Sequence, residues 1–238
     1  MSMAANIFSP SGWIEILRKP VRKREFTGPW KWLFLGLACA YSVGLLSVVV
    51  AATLPSSALR GAFLFAISAM VLLCYPATVL SPQSRPSVVD MALVIAAAVV
   101  FGNFIADYSQ MAWRAGAANL RAIVCGTIAV VIVLEVGRPA MGFMLPLIAT
   151  ILLLYAYVGP YLPGDLFGHS GFQYSQIMGD VYASMNGIFG FVAYVFIAYV
   201  MLFVLLGALL ERFGAGEFFI GLPIALLARF RGGPAKAA

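Results

Sequence analysis

Gly159-Pro160-Tyr161-Leu162-Pro163-Gly164-Asp165-Leu166-Phe167-Gly168-His169-Ser170-Gly171-Phe172 interrupts a long series of apolar segments and decides how the chain is divided. Glycines at 159, 164, 168 and 171 with prolines at 160 and 163 cannot sustain a helix, so this stretch is a loop. Loop backbone with unpaired polar groups cannot face hydrocarbon, so it lies at a membrane surface or packs against protein. The flanking segments are too apolar for water, and the whole chain shares that character. Of its 238 residues 63% are hydrophobic and 10% charged, against about 25% charged in a soluble domain. The apolar blocks run about 17 to 25 residues, the length that crosses ~30 Å of hydrocarbon at 1.5 Å per residue. The expected fold class is all-α, a polytopic integral membrane protein with about six transmembrane helices plus short interfacial helices.

Working outward from the loop, spans are expected at residues 32–53, 59–80, from a Ser87/Asp90 capping box to about 106, at 120–136, at 141–158 and, as the longest, at 187–210. Pro76 should kink the second near its far end. Asn103 and Asp107 are expected near an interface at the end of the third, where polar groups cost little. Glu135 and Arg138, three residues apart, can pair along one helix face. Gly36, Ala40 and Gly44 make a small-residue stripe that lets another helix approach closely. Beyond the sixth span a turn at 211–216 precedes a partly amphipathic helix at 217–230.

The net charge of +6 suggests nucleic acid, but the basic residues stand at segment ends and not along one face. The positive-inside rule explains them better. With the N-terminus cytoplasmic, Arg18, Lys19, Arg22, Lys23, Arg24, Lys31, Arg85, Arg138, Arg212, Arg229, Arg231 and Lys236 lie inside, and only Arg60, Arg114 and Arg121 outside. The loop with His169 then falls on the outer, periplasmic face of a bacterial inner membrane. Residues 1–31 form a cytoplasmic basic arm that either rests on anionic headgroups or serves orientation alone. In it Trp13, Ile14 and Leu17 share a helix face that Pro20 interrupts.

Catalytic chemistry has little to work with. Cys39, Cys74 and Cys125 fall on separate apolar segments without pair spacing and read as small buried thiols, not a disulfide framework or metal cluster. His169 and Asp165 have no nucleophile at a recognised spacing, and zinc would need three or four ligands. No phosphate-cradling G-x-x-x-x-G-K-[ST] occurs. No enzyme, catalytic residue, metal site or cofactor is therefore expected.

The second half carries a more specific pattern. Gly-Pro-Tyr-Leu-Pro-Gly at 159–164, Gly168-His169, Gly187-Ile188-Phe189-Gly190, Phe203-Val204-Leu205-Leu206-Gly207-Ala208, Glu211 with Gly214-Ala215-Gly216, Phe218-Phe219 and Arg231-Gly232-Gly233-Pro234-Ala235-Lys236 follow in that order. The chain resembles the fused permease of tripartite ATP-independent periplasmic (TRAP) transporters of the TAXI-associated type, most specifically over residues 135–238. The resemblance implies a DctQ-like four-span scaffold at 32–136 and the N-terminal part of a DctM-like transport subunit at 137–238. It implies uptake of organic acids, typically carboxylates, delivered by a periplasmic TAXI-type substrate-binding protein and driven by a sodium gradient. Membrane lipids and the remaining transport-domain helices would be its other partners. The family's sodium- and substrate-binding hairpins have no counterpart before Ala238, so no such residue is carried over, and a truncated chain unable to transport alone is expected. Tyr161, Leu162, Asp165 and His169 are the candidate contact with the binding protein, against packing of the loop on neighbouring helices. The alternative is a stand-alone structural or regulatory subunit assembling with a separately encoded transport unit.

Overall fold

The computed structural model describes residues 23–24, 26, 28–51, 55–77, 81–82, 85–113, 119–162, 168–184 and 186–227. The arm helix around Trp13, and Arg18, Lys19, Arg22, Arg114, Asp165, Arg229, Arg231 and Lys236, lie outside them. Eight helices follow one another among the described residues, without a strand: α1 (Pro29–Ala51), α2 (Ser56–Cys74), α3 (Val88–Trp113), α4 (Leu120–Met141), α5 (Met144–Val158), α6 (Tyr174–Ala183), α7 (Phe191–Arg212) and α8 (Ala215–Leu227). α1 to α5 and α7 each contain a stretch long and apolar enough to cross a membrane, so the chain is an all-α, multi-pass membrane protein.

Local chemistry sets the helix ends. Asp90 and Ser87 cap α3 reciprocally: the Ser87 amide donates to Asp90 Oδ2 at 2.8 Å and the Asp90 amide to Ser87 Oγ at 3.4 Å. Asn119 Oδ1 accepts from the Ala122 amide at 2.8 Å to start α4. Gly142, at φ 76°, separates α4 from α5 with a backbone conformation that a side chain would strain. Pro76 ends α2 where the sequence suggested a kink. The helix stops at Cys74 and Tyr75 is extended, as the residue before a proline prefers.

Several boundaries differ from the sequence expectation. α3 reaches Trp113, which makes it the longest helix and puts Asn103 inside it, with Asp107 buried. The sixth span begins at Phe191, not at 187. The residues before it fold into α6 and, over 186–190, a turn that the sequence did not announce. Inside α7 the residues Phe196–Val200 form a π-helical turn.

Two compact units divide the chain, Met1–Tyr194 and Val195–Ala238. In the first, α2, α3 and α4 pack around α6 and the turn after it. Phe189 stacks on Phe104 with ring centroids 3.7 Å apart and meets Phe101 and Tyr182 edge-on. α6 comes so close to α4 that a Cβ on Gly126 would stand 2.6 Å from the Met178 carbonyl oxygen. Lipid is as apolar as leucine, so such close fit, not exclusion of water, holds the helices together. α5 buries none of its side chains, and Cys39 on α1 is exposed, unlike Cys74 and Cys125.

Candidate functional site

The loop after α5 folds back on the helix that leads into it. A short 3-10 turn, Gly159–Tyr161, closes α5, and residues 168–172 run alongside its last turn. The Phe172 amide donates to the Ala156 carbonyl at 3.2 Å and the His169 amide to the Gly159 carbonyl at 3.4 Å. His169 is half-buried, its ring edge-on to Tyr155 at 4.9 Å. Its Nδ1 accepts from the Gly171 amide at 2.9 Å, which leaves Nε2–H to donate to the Tyr155 carbonyl at 3.2 Å. This is the neutral Nε2–H tautomer with both nitrogens engaged. The imidazole occupies the space a side chain at 159 would need: a Cβ on Gly159 would stand 2.1 Å from it. Of the other candidate contacts Tyr161 is exposed, Leu162 half-buried, and Asp165 lies outside the described residues. Among the described residues the structure brings His169 to the end of α5, beside Tyr155 and Phe172.

A second polar centre, which sequence reasoning missed, joins the chain before α1 to the loop between α2 and α3. Arg24 is buried, so of the basic arm's two readings, headgroup contact or orientation alone, this residue does not serve the first. Its amide donates to the Cys74 carbonyl at 2.8 Å, Nη1 to the Leu73 carbonyl at 3.0 Å, Nε to the Pro82 carbonyl at 3.2 Å, and Nη2 pairs with Asp90 Oδ2 at 2.5 Å. Asp90 Oδ1 accepts in turn from the Ala77 amide at 2.9 Å. The Glu135–Arg138 pair forms at 2.6 Å as its spacing predicts, and Arg138 Nη2 also donates to the Pro76 carbonyl at 2.9 Å. Two arginines from opposite ends of the bundle's sequence thus hold the carbonyls exposed where Pro76 ends α2. The capping box was the legible part; Arg24 stood unmarked among five basic neighbours.

At the other end of the bundle Arg60 is buried. Nη1 donates to the Phe189 carbonyl at 2.7 Å, Nη2 to Tyr108 Oη at 3.3 Å, and the guanidinium lies 5.6 Å from the Tyr108 ring centre. The Tyr182 hydroxyl donates to the Val100 carbonyl at 2.8 Å, with Asn103 Oδ1 at 3.4 Å. These bonds fasten α6 and the turn at 186–190 to α2 and α3. Irregular backbone at membrane depth persists only with such internal partners. Among the described residues no group of three His, Cys, Asp or Glu side chains comes together to hold a metal ion.

Residues 128–238 match the family model described as tripartite ATP-independent periplasmic transporter, DctM component. The match begins inside α4 and covers α5 to α8. No curated protein and no solved structure matches the chain. The C-terminal part of the chain is therefore similar to the large membrane component of a TRAP transporter.

Proposed function

We propose that the chain is a membrane permease component of a TRAP transporter, a secondary transporter fed by a periplasmic binding protein. The observation that carries this reading is the DctM match over residues 128–238, falling on helices of which two are candidate membrane spans beyond α4. Residues 32–136 serve as a DctQ-like scaffold and residues 137–238 as the beginning of the DctM-like transport subunit. The chain works with further transport-domain helices that carry the sodium and substrate sites, and the cargo is an organic acid, typically a carboxylate. The N-terminus is cytoplasmic in a bacterial inner membrane. The loop reaches a TAXI-type binding protein through Asp165, with Tyr161, Leu162 and His169 as its flanks.

The test is uptake. Cells deleted for this chain should lose a sodium-dependent, binding-protein-dependent accumulation of a radiolabelled carboxylate, and re-expression should restore it. Uptake of a broad carboxylate panel that is the same with and without the chain would refute the transporter reading. For the loop, Asp165→Ala in the complete permease should lower uptake at limiting binding protein and leave it unchanged at saturation. Uptake equal to the parent's at both concentrations would remove Asp165 from the docking surface.

A further inference from the structure

The end of α5 has a construction that docking to a soluble protein does not require. Residues 168–172 lie against the last helical turn, with the amides of His169, Gly171 and Phe172 and both His169 ring nitrogens paired internally. Gly171, at φ 66°, sits so close to the Pro160 ring that a Cβ there would stand 2.3 Å from it. Paired backbone is what a chain needs where water is scarce. Among the described residues of this cap, 155–162 and 168–174, there is no Asp, Glu, Lys or Arg, and the histidine is held as the neutral tautomer.

Beside Val158, Pro160, Ser170 and Gln173, the cap exposes several aromatic side chains. Tyr157, Tyr161, Phe172 and Tyr174 are exposed, Tyr161 at 81% of its surface. The span that carries the first two, Met144–Tyr161, has 18 residues. At 1.5 Å per residue that is ~27 Å, close to the hydrocarbon thickness, which sets Tyr157 and Tyr161 at its boundary. Tyrosine is favoured at that depth because its ring is apolar and its hydroxyl wet. The chain then turns inward: Tyr174 Oη lies 2.6 Å from Thr127 Oγ1 in the second turn of α4, and Tyr182 reaches the middle of α3.

We infer that this cap is a lipid-facing collar seated in the headgroup layer, where Tyr157 and Tyr161 meet phospholipid ester and phosphate oxygens and fix the depth of α5 and α6. The occupant is the phospholipid interface; a soluble partner would meet the loop from above it. The inference stands on the cap's geometry and does not depend on the transporter reading.

The test places nitroxide labels at Tyr161→Cys and Phe172→Cys in the full chain, with Cys39, Cys74 and Cys125 replaced by alanine, in phosphatidylethanolamine–phosphatidylglycerol vesicles. Collisions with oxygen and with a water-soluble nickel chelate then report depth. Both labels should read the headgroup region, shallower than a label at Ile151→Cys in mid-span. Dominant access by the chelate would mean a loop standing in water, and exclusion of both reagents would mean a protein cover such as a second copy; either result overturns the collar. Should the alanine background fail to fold, Tyr161→Trp in the natural chain gives the same reading. The added fluorescence should be quenched by shallow brominated lipid, and quenching by aqueous acrylamide alone would overturn the proposal.

Discussion

Arg24 and Asp90 show what one buried pair can hold. Both side chains are fully removed from solvent, so each charge depends on the other and on the carbonyls and amides around it. Removing one partner of such a pair leaves an uncompensated buried charge, at a cost of about 3–5 kcal/mol. Arg24→Ala should therefore unfold at clearly lower temperature than the parent in the same detergent. The double variant Arg24→Ala/Asp90→Asn should recover part of the loss, because the lone carboxylate is gone while an amide oxygen can still cap the amide of Ser87 or Ala77. Equal melting of Arg24→Ala and the parent would show that the pair contributes nothing net. His169 works at the same scale in the opposite direction. Its Nε2 holds the loop on α5 through the Tyr155 carbonyl, while Nδ1 accepts from the Gly171 amide within the loop itself.

At the scale of the element, the close crossing of α4 and α6 is the most exacting contact. Gly126→Ala would push its methyl to within 2.6 Å of backbone that cannot swing away, the Met178 carbonyl. Overpacking of that kind costs about 1–3 kcal/mol. Gly102 on α3 is the control, since a Cβ there meets nothing within 4 Å, and an alanine in open helix is neutral or favourable by up to about 1 kcal/mol. Thermal unfolding of the two variants side by side should separate them; equal shifts would mean that α6 gives way without cost. The contrast between spans and α6 also shows what was legible. Long apolar runs announce α3 and α4, and the Ser87/Asp90 box announces the start of α3, because hydropathy and capping are local signals. α6 is only ten residues and follows a glycine-proline loop, and its anchoring bonds join Tyr182 to Val100 and Asn103, some eighty positions earlier. Arg24 hides for the same reason: its partner Asp90 is 66 residues away, and a basic residue before a span reads first as a topology signal.

At the scale of the molecule, the two clasps bear on how the first unit crosses the membrane. Arg24, the end of α2, the start of α3 and Arg138 near the end of α4 meet at one end of the bundle. Arg60, Phe189 and Tyr108 meet at the other. The chain before α1 is thus tied to the end at which α2 finishes, as it must be if α1 runs out and α2 runs back. Burying Arg24 and Arg60 removes one charge from each side of the positive-inside count and leaves its bias intact. Five candidate spans separate Lys23 from Asp165, so the two positions should face opposite sides. In intact cells a charged, membrane-impermeant maleimide should label Asp165→Cys, and it should label Lys23→Cys only after permeabilisation. The reverse pattern would overturn the cytoplasmic N-terminus while keeping the five crossings. Labelling of both from one side would mean that one helix does not cross; α1, the least apolar of the six, would then be the first to exclude. The Arg24 clasp makes that outcome costly, because without α1 crossing, the arm could not return to the end where Asp90 waits.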